Sequence, residues 1–169
     1  MGEITDLLPK FEDIASSLEN GDFGRYYDLI TPQLEKILER YKTGKEILSE
    51  EDTEAIYSHE MLDVIFDNIE YRKFNNQINS AYLVLGILSE ISYWSESNKN
   101  PSEREMSPDC SLTNAFWHYI KANQKERAVS LFQLEYSKLD QASGTVQSII
   151  HYLSPARSRT HTSSDILDI

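Results

Sequence analysis

The pentapeptide His59-Glu60-Met61-Leu62-Asp63 sets two potential metal ligands four residues apart, with a glutamate beside the first. On a helix, positions i and i+4 share a face, so a histidine and a carboxylate there can hold a metal while the glutamate serves as base. The arrangement is one letter short of the HExxH zinc site, with Asp63 where the second histidine would stand. No third ligand is evident, and no pair of Glu-x-x-His repeats marks a di-iron bundle. A solvated acidic helix face is the simpler account, so no metal is expected. His118 stands in the aromatic run FWHY, His151 beside Tyr152, and His161 near the end of the chain. Cys110 is the sole cysteine; it pairs with a histidine as a nucleophile only if its loop folds onto one. There is no Gly-rich phosphate loop, no GxSxG and no CxxC. The residues therefore ask for neither catalysis nor a cofactor.

The pentapeptide lies inside a larger anomaly. Residues 49–71, SEEDTEAIYSHEMLDVIFDNIEY, carry eight carboxylates and no Lys or Arg. Glu50, Glu51 and Asp52 suit a helix start: Ser49 is an N-cap with Asp52 three residues on, and acids favour the positive end of the helix dipole. Glu60, Asp63, Asp67 and Glu70 have no such excuse. As one continuous helix they fall within roughly an 80° arc, each three or four residues from the next, and repel by a few tenths of a kcal/mol per pair. Leu62, Ile65, Phe66 and Ile69 form the apolar stripe beside them. Tyr57 and Tyr71 flank the acids, where an aromatic ring stacks on an incoming Arg while carboxylates pair with it.

The charge of the whole chain follows this segment. Residues 1–70 hold 18 Asp and Glu against 6 Lys and Arg, whereas residues 71–169 hold 10 of each, for a net charge of −12. That balance excludes nucleic acid and anionic membrane surfaces, both of which call for Lys and Arg. A basic protein is the natural complement. The opening MGEITDLLPK lacks the layout of a secretory signal, and Asp6 stands where a myristoylation signal has Ser or Thr. A lone cysteine fits a reducing, cytoplasmic setting.

The elements that must position these residues read as helices throughout. Phe11, Ile14, Ala15 and Leu18 form a stripe after Pro9, closed by Asn20-Gly21. A short turn at Tyr26–Ile30 is followed by a fresh start at Thr31-Pro32, with Leu34, Ile37, Leu38 and Tyr41 as its stripe and Gly44 as C-cap. Ile78 to Tyr93 reads as a central buried helix, too short and interrupted to span a bilayer. Gly86 within it marks a close helix contact. Residues 97–110 read as a long loop, where a sub-boundary would fall. Helix restarts at Ser111 or Thr113 with the stripe Ala115–Ile120, turns near Asn123, resumes over Ala128–Tyr136, breaks at Gly144 and ends with a last helix over Val146–Leu153. Tyr26-Tyr27 and Tyr93-Trp94 serve as interface anchors or core. No alternating run suggests a strand, and no 34-residue period recurs. The expectation is an all-α protein: an antiparallel helical bundle or short irregular helical array of about eight or nine helices. Residues 1–153 form the domain, and 154–169 form a polar tail.

In size, acidity, lone cysteine and helical pattern, with the acids and tyrosines of 49–71 at its centre, the chain resembles the immunity proteins of bacterial toxin systems, especially those of contact-dependent growth inhibition. The resemblance implies a cytoplasmic, non-catalytic protein. It would bind a cognate basic toxin domain, often a nuclease, as a heterodimer and cover its active site with a helix whose carboxylates mimic a phosphate backbone. The partner-binding residues it points to are Glu50, Glu51, Asp52, Glu54, Tyr57, Glu60, Asp63, Asp67, Glu70 and Tyr71. The rival expectation is a helical-repeat adaptor that binds another protein through a groove.

Overall fold

Apolar residues at three-and-four spacing become helices almost wherever they occur. In the computed structural model, which describes residues 2–68 and 75–154, the helices are α1 (Glu3–Leu7), α2 (Phe11–Asn20), α3 (Gly24–Gly44), α4 (Glu50–Glu60), α5 (Asp63–Asp67), α6 (Asn75–Asn98), α7 (Pro108–Lys121), α8 (Lys125–Glu135) and α9 (Gly144–Leu153). Short 3-10 turns occupy Pro101–Glu103 and Tyr136–Lys138. No strand occurs among the described residues, and the fold is all-α. No described helix is long and apolar enough to cross a membrane.

Among the described residues seven helices have ten residues or more, slightly fewer than the eight or nine expected, while α1 and α5 have five each. Two local decisions account for the difference. The Thr31-Pro32 start does not occur, because α3 runs straight through Pro32. Proline inside a helix forfeits a backbone bond and costs about 3 kcal/mol. Burial of Tyr27, Ile30, Leu34, Ile37, Leu38 and Tyr41 along one uninterrupted stripe offsets it, at about 2 kcal/mol per large apolar side chain. Conversely, the acidic segment expected as one helix is split into α4 and α5. Gly44 is the last helical residue, and Lys45 takes the left-handed cap conformation (φ 58°).

α6 is the centre. Ile78, Ala81, Tyr82, Val84, Leu85, Ile87, Leu88 and Ile91 are buried around its whole circumference, the mark of a helix enclosed by others. Its largest neighbours are α7 and α3. α7 runs antiparallel to it, since Tyr82 lies beneath Lys121 and Ser89 meets His118. Gly86 admits the Tyr119 ring so closely that a Cβ would sit 2.5 Å from it. α3 instead runs parallel to α6: the Gly24 amide donates to Gln77 Oε1 at one end (2.9 Å), and Asn98 Nδ2 donates to the Tyr41 carbonyl at the other (3.1 Å). Parallel neighbours need a crossover, and the segment from α4 to α5 lies on it. The array is thus irregular, with a parallel pair inside it.

The loop expected at 97–110 is shorter than that, because α6 extends to Asn98 and α7 begins at Pro108, capped by the Ser107 hydroxyl. The restart expected at Ser111 or Thr113 lies inside α7. Tyr27 and Tyr93 are core residues, with Tyr26 and Trp94 half-buried against them. Asn75 and Asn76, where the sequence also suggests a turn or bend after Phe74, are helical residues of α6, while Phe74 and the tail from residue 155 fall outside the described residues.

Candidate functional site

Ser49 starts α4 as its sequence requires: its hydroxyl accepts from the Asp52 amide (3.2 Å). The reciprocal half of the capping box is absent, because the Asp52 side chain is used elsewhere. It is buried, 5% exposed, and accepts from the amide (2.9 Å) and hydroxyl (2.8 Å) of Thr5. Gly2 at the start of α1 leaves room for this carboxylate, and a Cβ there would collide with it. Asp52 therefore anchors α1 to α4 and is not a surface acid.

At Met61-Leu62 the helical ladder tightens. The Leu62 amide bonds to the His59 carbonyl three residues back (3.0 Å), and the Phe66 amide to Leu62 (3.0 Å). The tightened bond interrupts the helix without exchanging its faces: Leu62 and Phe66 are buried and Ile65 is half-buried, as the stripe requires, and Glu60, Asp63 and Asp67 lie together on the side of α6 and α7. Glu60 Oε1 accepts from Ser89 of α6 (2.6 Å), and Ser89 also meets His118 Nδ1 of α7 (3.1 Å). The other ring nitrogen of His118 lies 4.0 Å from Asp63. Asp67 accepts from the Tyr82 hydroxyl and from Lys121 (3.1 Å to each carboxylate oxygen). Each of the three acids thus faces α6 or α7 and meets a group of the chain itself. Of the three, Asp67 takes its countercharge from Lys121, fifty-four residues on. Glu60 and Asp63 are therefore half-buried where an outward row was expected, whereas Asp67 is exposed as expected but already paired within the chain.

Burial dominates the protonation of this cluster. It pushes the Glu60 carboxyl up to about 7, against the Ser89 hydrogen bond and with some help from Asp63. It lowers His118 to about 4, outweighing the pull of Asp63. Partial burial raises Asp67, but the hydrogen bonds from Tyr82 and Lys121 together bring it below its ordinary value. Ser89, His118 and Asp63 stand in the order of a hydrolytic triad. Ser89 is however 0% exposed in the middle of α6, so its hydroxyl meets no substrate, and the triad is a packing network.

The metal pairing of His59 with Asp63 does not form either. His59 turns toward α3, where its Nε2 meets the Tyr27 hydroxyl (3.0 Å) and its ring meets the Tyr27 ring edge-on. Burial lowers its pKa to about 4. Among the described residues no three His, Cys, Asp or Glu side chains gather closely enough to hold a metal ion.

Besides Asp67, α4 and α5 turn a further set of residues outward. Glu50, Glu51 and Glu54 are exposed. So are Met61 (74%), Val64 (64%) and Tyr57 (37%), whose hydroxyl donates to the Met106 sulfur (3.3 Å). Between α4 and the α1–α2 corner runs a groove of about 240 Å³, floored by Leu8, Ala55 and Leu62, with Phe11 (59% exposed) on its wall. The exposed acids Asp6, Glu12 and Asp13 neighbour this wall in sequence. The sequence reads Phe11 as a stripe member with Ile14, Ala15 and Leu18, so its exposure is unexpected, whereas Met61 and Val64 lie outside the stripe of Leu62, Ile65, Phe66 and Ile69 and nothing in the sequence singles them out. Glu70 and Tyr71 lie outside the described residues. No protein-family model, curated protein or solved structure matches the chain.

Proposed function

We propose that this protein is a binding protein, without catalysis of its own, that captures a basic protein domain on the α1–α2–α4 face and neutralises it. This is the role of the immunity proteins it resembles, whose partner is a cognate toxin domain, often a nuclease, held as a heterodimer in the cytoplasm. The observation that carries the reading is a juxtaposition. Exposed Glu50 and Glu54 of α4 have no ion-pair partner among the described residues, and the same helix lends Ala55, Ser58 and His59 to a groove that Leu8, Lys10 and Phe11 also line. An apolar centre with a charged rim is the anatomy of a protein interface. The unpaired carboxylates repel one another in the free protein and attract a basic partner, raising its association rate.

The groove also suits an adaptor that recognises an apolar segment, and salt separates the two readings. An affinity pull-down from the native cells, eluted across a salt gradient, tests the proposal. It predicts one basic partner, recovered one to one and released by moderate salt. Recovery that resists salt, or of several unrelated proteins, would instead favour the adaptor.

A further inference from the structure

A second cleft, of about 600 Å³, opens where the end of α3, the end of α6, the loop before α7 and the segment after α8 converge. Its size lies in the range of small-molecule sites. In a chain of net charge −12 it is an exception: Lys42, Lys45, Arg104 and Lys138 line it, against Asp109, Glu135 and Asp140. The three acids are already engaged. Asp109 accepts from the Asp140 amide (2.8 Å), and Asp140 from the Ala142 amide (3.0 Å). Glu135 accepts from the Tyr93 hydroxyl (2.7 Å) and from Lys138 (3.3 Å).

The other three cations have no carboxylate partner among the described residues. Arg104 is half-buried, and its Nε and Nη2 donate to the main-chain carbonyls of Glu96 (2.9 Å) and Ser97 (3.4 Å). Those bonds fix the guanidinium plane without neutralising it. A fixed, uncompensated guanidinium is suited to an oxyanion, whose geometry its fork matches. Lys45 stands at the left-handed cap of α3, exposed at the same cleft. Lys42 also borders a neighbouring cleft beside Glu39, so Arg104 and Lys45 carry the argument. Trp94 supplies a half-buried aromatic wall, its indole N–H already committed to Glu90 (3.1 Å).

We propose that this cleft binds a small phosphate-bearing ligand, its oxyanion between Arg104 and the lysines of α3 and its remaining part against Trp94. The cleft shares no lining residue with the α1–α2–α4 groove, so this proposal stands or falls apart from the partner reading. The test is calorimetric titration of the full chain with inorganic phosphate, pyrophosphate and AMP at about 0.15 M salt, where only nearby charges act. Saturable one-to-one binding is expected, with pyrophosphate and AMP both tighter than phosphate. Arg104→Gln should weaken it about tenfold or more, the scale of one charge-assisted contact. Lys45→Asn, exposed and compatible with the left-handed cap, should weaken it about threefold and remains informative if the arginine variant misfolds. Arg25→Gln, at the opposite end of α3, should leave it unchanged. Absence of saturable binding by all three ligands at about 10 mM, well above ordinary ligand affinities, would overturn the proposal. Undiminished binding by both cleft variants would do the same.

Discussion

Glu60 and Asp52 belong to one acidic segment and meet different partners, Ser89 of α6 for Glu60 and Thr5 of α1 for Asp52. Glu60 is held by burial at a pKa of about 7, above the ordinary carboxylate value. Between roughly pH 4.5 and 7 the folded state therefore keeps a proton that the unfolded chain releases, and stability falls as pH rises through that window. His59 and His118, lowered to about 4, act in the reverse sense, adding stability as pH rises from about 4 to 6.5. Glu60→Gln isolates the carboxylate. Its melting temperature relative to the parent should climb from pH 4.5 to 7 and then level off, by an amount on the order of 3 kcal/mol in stability. A flat difference across that range in parallel thermal scans would show that Glu60 is solvated. Asp52→Ala should cost about 1–3 kcal/mol in urea unfolding, because it strands the amide and hydroxyl of Thr5. The sequence reveals the Ser49 cap at this scale but not the second use of Asp52, since its partner lies forty-seven residues away.

At the scale of elements, the α6–α7 contact is the one most closely specified. Gly86 was legible as a close contact because glycine inside an apolar helix needs a packing reason. Its partner, Tyr119, was not. Gly86→Ala should cost about 1–3 kcal/mol, as expected for overpacking against a ring that has no room to move, read as a lower denaturation midpoint with an unchanged slope. The α4–α5 break was invisible for the opposite reason. No residue type there announces it: the Leu62 amide bonds three residues back, to His59, yet Leu62, Ile65 and Phe66 pack inward as their spacing requires. The partners of Glu60, Asp63 and Asp67 were not legible because Ser89, His118, Tyr82 and Lys121 lie in α6 and α7, outside any local window. Pro32 misled in the same way: local chemistry marks a start, but the buried stripe from Tyr27 to Tyr41 continues through it.

At the scale of the whole molecule, the all-α class and the segregation of charge are both readable without coordinates, because composition and periodicity are averages that one local break does not alter. The parallel pairing of α3 with α6 is not, since helix direction depends on the crossover between them. The surface offered to a partner also had to await the fold. Truncating Phe11 to Ser should weaken partner binding by about 2 kcal/mol if it is an anchor of the interface, while leaving the melting temperature nearly unchanged because the side chain is 59% exposed. The central claim is that the acids which act on a partner are Glu50 and Glu54, exposed on α4 with no ion-pair partner among the described residues, and not those already paired within the chain. Its most direct test is the association rate of the captured partner, measured by stopped flow across a salt series, for the parent, for Glu50→Gln with Glu54→Gln, and for Asp63→Asn with Asp67→Asn. The account predicts slower association and a shallower salt dependence for the first pair, and parent-like rates for the second. The reverse pattern would contradict it and return the partner surface to the row facing α6 and α7.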